Sequence, residues 1–428
     1  MSVLAINGGE KVRTELFEPY NLMGQEEKDA VNKVMDTGVL SKFIGAWEDD
    51  FYGGSEIQAF EREWSEEFGI KHTVSVNSNS SGLHVALGAC GIGYGDEVIV
   101  SPYSMSVSAT APLVWNATPV FADISPNHYN IDIDSIKKNI TEKTKAIIVV
   151  HIMGCPADMD EIMKIAKTYN LFVIEDAAQA PYSMYKDQRA GTIGDIGVYS
   201  LNYHKHIHTG EGGMCVTNNK VLFEKMQMIR NHAESIVEAK GEIDLVNMLG
   251  FNFRLTEIQA AIGRVQIKKL RSEVKIRQQY AEIFNKALNK YEFIDITKLE
   301  DRTHSYYVQA FQFHEEKVGV SREIFLAAVR AELQPVRTRE DEGVPVYGGY
   351  VKPLHLIPMF QKRKVYSNGS FPFNKNVSYD RGICPVVEDM HDKKLWTHDF
   401  VKSSLKEEDV FDLVKAYQKV CDNINELK

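Results

Sequence analysis

The chain is poor in the features that commit a protein to a special environment. Its 428 residues include only five cysteines, at Cys90, Cys155, Cys215, Cys384 and Cys421, odd in number and never spaced as CxxC. That pattern excludes a disulfide framework and a cysteine-built metal site, and predicts reduced thiols in a cytoplasmic protein. No apolar run approaches the roughly 20 residues that span a bilayer. The amino terminus lacks a basic stretch followed by an apolar one, so no membrane contact and no secretory leader is expected. Positive charge is not in excess either. A formal net charge of −10 and the lack of a lysine-rich tail argue against a nucleic-acid partner. No repeat period or low-complexity stretch is found.

What is present is an ordinary globular composition, 44% hydrophobic and 25% charged, on a chain too long for one simple core. Between about residues 70 and 220, short apolar runs alternate with helical patterns. Strands are predicted at His72–Val76, Glu97–Ser101, Ala146–His151, Leu171–Glu175 and Gly197–Leu201, and helices at Ser81–Ala89, Ser106–Trp115 and Asp158–Tyr169. Runs such as Ala-Ile-Ile-Val-Val are apolar throughout, the mark of strands covered on both faces. The fold class is therefore α/β, a mostly parallel central sheet flanked by helices. A long helical region, Thr256–Asn289, leads to a strand at Tyr306–Phe313 and a smaller C-terminal α+β unit. The expected division is an amino-terminal arm with a large domain, residues 1–265, and a small domain, residues 266–428.

Three stretches bear chemistry. In Val76-Asn-Ser-Asn-Ser80-Ser81-Gly82, a strand runs through a polar turn into a helix, whose free N–H groups and hydroxyls make a phosphate site or a simple helix cap. Leu171-Phe-Val-Ile-Glu175-Asp176 delivers an acidic pair at the carboxyl end of a strand, where ligands bind in open α/β sheets. A carboxylate there keeps a pyridine nitrogen protonated, or ligates a metal, or caps a helix. Ser200-Leu-Asn202-Tyr-His204-Lys205-His206 then places a lysine between a strand end and the glycine-rich Gly210-Glu-Gly-Gly213. Burial lowers an amine's pKa and makes it nucleophilic. An isolated lysine is ordinarily a solvated charge; its place after the acidic strand end sets this one apart.

Read together, these blocks resemble the DegT/DnrJ/EryC1/StrS sugar aminotransferases, within the fold-type I pyridoxal-phosphate enzymes. The likeness runs from about Gly8 to the C-terminus. It rests on Glu175–Gln179, Gly191-Thr-Ile-Gly-Asp195-Ile-Gly197, Ser200 through Gly213, and Gly250-Phe-Asn252-Phe-Arg254-Leu. It implies pyridoxal 5'-phosphate as cofactor, Lys205 as the Schiff-base lysine and proton shuttle, and Asp176 as partner of the pyridinium nitrogen. Gln179 would face the ring hydroxyl, and Ser80, Ser81 and Ser200, with Asn202, would hold the phosphate. Asn252 matches an asparagine that crosses from the neighbouring subunit, which implies a homodimer with shared sites. The partners implied are an amino donor, glutamate, and a sugar-like carbonyl acceptor. Tyr350–Leu356 and Arg381–Val386 look like the subgroup acting without a nucleotide. The nearest likeness is to the transaminase that makes 8-amino-3,8-dideoxy-manno-octulosonate for lipopolysaccharide.

Relatives with histidine in place of the lysine are dehydratases. Counting from Ser200 or back from Glu211 lands on Lys205, which favours transamination. A cyclitol aminotransferase is the other alternative. Within Ser101–Ser108 the position where the family places its ring-stacking aromatic holds Met105 or Ser106, so Tyr103, at a shifted position, is a candidate for that face or for substrate. His206 and His355 are further candidate substrate contacts. The glycines Gly91, Gly93 and Gly95 follow a helix and precede a strand, the reverse of a dinucleotide fingerprint.

Overall fold

A computed structural model describes residues 3–297, 300–367 and 369–428. Seven strands form the central sheet: β1 (His72–Val76), β2 (Glu97–Val100), β3 (Thr118–Phe121), β4 (Thr144–Val150), β5 (Phe172–Asp176), β6 (Ile196–Ser200) and β7 (Gly213–Thr217). Their order is β1-β7-β6-β5-β4-β2-β3. The five strands from β6 to β3 run parallel, and only the pairings of β7 with β1 and β6 are antiparallel.

The apolar runs are explained by cover on both faces. Alternate residues of one strand enter different cores: Val98, Val100, Ile148 and Ile174 one, Ile99, Ile147, Val149 and Val173 the other. Two strands escape the sequence pattern. β3 reads Thr-Pro-Val-Phe, a short edge strand that tolerates proline. β7 follows directly on a glycine turn.

The long helical region is two helices, Glu257–Gln266 and Leu270–Leu288, separated by a 3₁₀ turn at Ile267–Lys269. Such a turn places residues three apart on one face. Ile267 and Leu270 accordingly share one core with Phe60 and Trp64. The expected strand at Tyr306 begins only at Gln309. Tyr306 itself has φ 51°, in the left-handed region, and its amide donates to His304 Nδ1.

A second, antiparallel sheet contains Ile294–Ile296, Gln309–Phe313, Leu395–His398 and Val346–Gly348 in that spatial order. Its core also takes in Leu4 and Phe17 from the amino-terminal arm. The arm is fastened there by buried Glu332, which accepts from the Ala5 and Val12 amides and from Lys419 Nζ. These elements reproduce the expected architecture, a mostly parallel sheet with flanking helices and a smaller α+β portion. No helix among the described residues is long and apolar enough to cross a membrane.

Candidate active site

The parallel strands aim their carboxyl ends at one edge of the sheet, and the site is built there. β5 ends in two buried carboxyl groups, Glu175 and Asp176, whose side chains leave opposite faces of the strand. Asp176 Oδ1 accepts from the Ala178 amide at 3.1 Å and from Asn79 Nδ2 at 3.3 Å. Oδ2 has no hydrogen bond among the described residues. Burial raises the pKa of this carboxyl group, an effect opposed by the Ala178 amide and by the charge of Lys205.

β1 leads into the helix Asn79–Ala89 through a capped turn. Ser78 Oγ accepts from the Ser81 amide at 3.1 Å, and Ser81 Oγ donates to Asn77 Oδ1. Ser80 is exposed at the same helix start. A β-carbon on Gly213 would lie 2.7 Å from the Ser78 carbonyl carbon, so only glycine lets β7 run against this helix end.

Lys205 follows β6 in a loop closed on itself. Its amide donates to Asn202 O at 2.9 Å, and the Tyr203 amide donates to Gly210 O at 3.0 Å. The side chain is half-buried, with Nζ 4.1 Å from the centroid of the Tyr307 ring. Burial lowers its pKa to about 8, against an upward pull from Asp176. The lowered pKa leaves this amine a larger neutral fraction near physiological pH than an ordinary lysine has, so it can act as nucleophile and base.

The other candidates divide by exposure. Gln179 is buried; its Oε1 accepts from the Met153 amide and its Nε2 donates to Tyr350 Oη at 2.9 Å. Ser200 Oγ accepts from the Asn202 amide at 3.3 Å, and the Asn202 side-chain amide donates to Glu211 at 2.9 Å. Asn252 is exposed. Tyr103 lies fully buried below Tyr350, accepting that residue's amide at 2.7 Å. His206 is enclosed, with Nε2 bonded to Ser305 O at 2.9 Å. His355 is enclosed too, with Nε2 2.9 Å from Glu388. Met105 is exposed just ahead of the helix Val107–Val114. Tyr307, Tyr350 and Asn79 went unmarked in the sequence. Asn79 lies in the polar turn after β1 and Tyr350 opens the stretch Tyr350–Leu356, whereas nothing local distinguishes Tyr307. No cluster of residues suited to a metal ion occurs among those described.

A lysine facing a buried carboxyl group at the carboxyl edge of a seven-stranded sheet, beside a capped helix start, is the arrangement of fold-type I aminotransferases. The chain belongs to the DegT/DnrJ/EryC1/StrS aminotransferase family, whose model matches residues 23–397. It is 35% identical over 387 residues to the spore coat polysaccharide biosynthesis protein SpsC of Bacillus subtilis, covering 88% of this chain and 94% of that one. It is 30% identical over 442 aligned residues to the L-glutamine:2-deoxy-scyllo-inosose aminotransferase of Streptoalloteichus tenebrarius, covering 99% of each chain. Among solved structures, the aminotransferase from Psychrobacter cryohalolentis aligns with a TM-score of 0.81 and 31% identity, over 96% of this chain and 100% of that one. The protein is thus an enzyme, a sugar aminotransferase by family.

Proposed function

We propose that this chain uses pyridoxal 5'-phosphate to move an amino group from glutamate or glutamine onto the carbonyl of a sugar or cyclitol. The observation that supports it most is the half-buried Lys205 amine, lying over Tyr307 and coupled to Asp176. The residues fit the cofactor. Asp176 bears a burial penalty that a protonated pyridine would offset, and its Oδ2 is available to meet one. The second Nε2 hydrogen of Gln179 would serve the cofactor's ring hydroxyl. The Asn79 and Ser80 amides, with the hydroxyls of exposed Ser80 and of Ser200, suit a phosphate, whereas the Ser81 amide and hydroxyl are engaged by Ser78 and Asn77. When bound, the cofactor supplies an electron sink for the substrate's α-carbon. Lys205 takes the proton from that carbon and returns it, and Asp176 stabilises the cationic ring while it does so. Histidine at position 205 would have favoured dehydration; lysine favours transamination.

We assign the acceptor to the cleft beside the Lys205 loop, lined by Tyr203 and His204 of that loop and by Tyr20, Arg339, Tyr347 and Lys402. Each basic side chain there is already paired, Arg339 with Glu342 and Lys402 with Asp399. Burial pushes His204 down, toward its neutral form. A cleft of tyrosines and neutralised ion pairs suits a polyhydroxy carbonyl compound better than a nucleotide diphosphate. The full-length likeness to a cyclitol aminotransferase supports the same reading; nothing in the cleft singles out the octulosonate.

Asn252 is read as a phosphate ligand for a second copy of the chain. Beside it, Ile243, Leu245, Val246 and Leu249 are all more than half exposed, an apolar surface suited to a homodimer interface. The test is acceptor turnover by the aminated enzyme, followed by mass spectrometry. A keto-cyclitol should gain an amino group and a nucleotide-linked keto-sugar should not; the reverse result would exclude the nucleotide-free acceptor.

A further inference from the structure

We propose that Tyr307 is a positioning residue for Lys205, its ring face holding the amine in place and favouring its protonated form. The inference rests on Lys205 being the cofactor lysine. Nζ lies 4.1 Å from the ring centroid, well within the range at which a cation is attracted to an aromatic face.

The platform is firmly built. The Tyr307 amide donates to Met153 O at 2.9 Å. Fully buried Arg277 donates through Nη1 to the carbonyls of Tyr306 and Tyr307, at 3.1 and 3.5 Å. The left-handed backbone at Tyr306, φ 51°, is the kind of strain that only surrounding contacts sustain. Lysine loop and platform are also tied to each other. His206, next to Lys205, bonds Ser305 O at 2.9 Å, and Tyr20 Oη donates to the His206 carbonyl at 2.7 Å.

The charged and titratable groups facing the amine are few. Asp176 comes from β5, His204 and His206 from the lysine's own loop, and Tyr307 from the segment that leads into the second sheet, with Arg277 bonded to its carbonyl. Burial disfavours the charged form of both histidines. Asp176 and the ring face are therefore the two groups that favour the ammonium. An uncharged stabiliser fits the chemistry, because the same amine must be neutral to take a proton and charged to return it.

The experiment follows the rate at which apoenzyme and pyridoxal phosphate develop the visible absorption band, as a function of pH. The neutral amine adds to the aldehyde carbon and water leaves, so the rate reports the neutral fraction. Tyr307→Phe keeps the ring and should keep the midpoint. Placing 3,4,5-trifluorophenylalanine at the same position preserves the shape and drains the π face, and should lower the midpoint by about half a pH unit to one unit. Tyr307→Trp, with a stronger π face, should raise it. Coincident midpoints for the phenylalanine and its fluorinated form, or a downward move for tryptophan, would overturn the proposal while leaving Lys205 as the cofactor lysine. An unchanged band in Lys205→Ala would overturn both.

Discussion

Glu175 and Asp176 are neighbours on one strand, and their surroundings could hardly differ more. Glu175 is fully buried and accepts four hydrogen bonds, from the amides of Gly191, Ile193 and Gly194 and from His151 Nε2. His151 is fixed in turn, since its Nδ1 accepts the Ala157 amide. Asp176, on the opposite face, receives two bonds on one oxygen and none on the other among the described residues. A carboxylate saturated by backbone donors is a structural anchor. One left half-satisfied beside a lysine is poised for a cationic partner. On the proposed reading, the pleat of the strand separates scaffold from chemistry across a single peptide bond.

This contrast can be broken by substitution. The largest effect is expected at the chemical side: Lys205→Ala should cost at least about 10³-fold in turnover. Asp176→Asn should cost about 10²-fold or more in turnover with no loss of urea stability, because it removes a buried charge. Glu175→Gln should do the opposite. It turns an NH₂ group toward backbone N–H donors and should cost about 2–4 kcal/mol of stability in urea unfolding, with turnover per folded molecule largely kept. If Glu175→Gln kept full stability but lost activity, the division between the two faces would be wrong.

The smallest effect concerns an anchor far from the chemistry. Buried Glu27 bonds Lys269, the Gly24 amide and Gln266, joining the helix Gln25–Thr37 to the helix pair after Thr256. Burial alone would raise its pKa, yet these donors bring it down to about 2. A depressed carboxyl pKa stabilises the fold above the unfolded value of 4.5, and that contribution is lost as the pH falls toward about 2. Glu27→Gln should therefore flatten stability over that range and cost about 2 kcal/mol at neutral pH, read from urea unfolding at several pH values.

How much of this could be read from the sequence follows from its physical range. The parallel strands were legible because cover on both faces leaves unbroken apolar runs. Asp176, Lys205 and the glycine turn were legible because each sits where a strand ends and polarity changes abruptly. β3 and β7 were not, being short, one broken by proline and the other opening on a glycine turn. Tyr307 was invisible for a different reason. It lies about a hundred residues after Lys205 and meets it only when the second sheet is placed against the first. His355 illustrates the converse: it stands in the motif-like stretch Tyr350–Leu356, but the fold encloses it against Glu388.

The most direct test is a visible spectrum of the purified protein with pyridoxal phosphate, before and after glutamate or glutamine, followed by borohydride reduction and peptide mapping. A yellow band that bleaches with the donor, returns with the matching keto acid, and maps to Lys205 is the predicted result. No band, or a label on another lysine, would contradict the account.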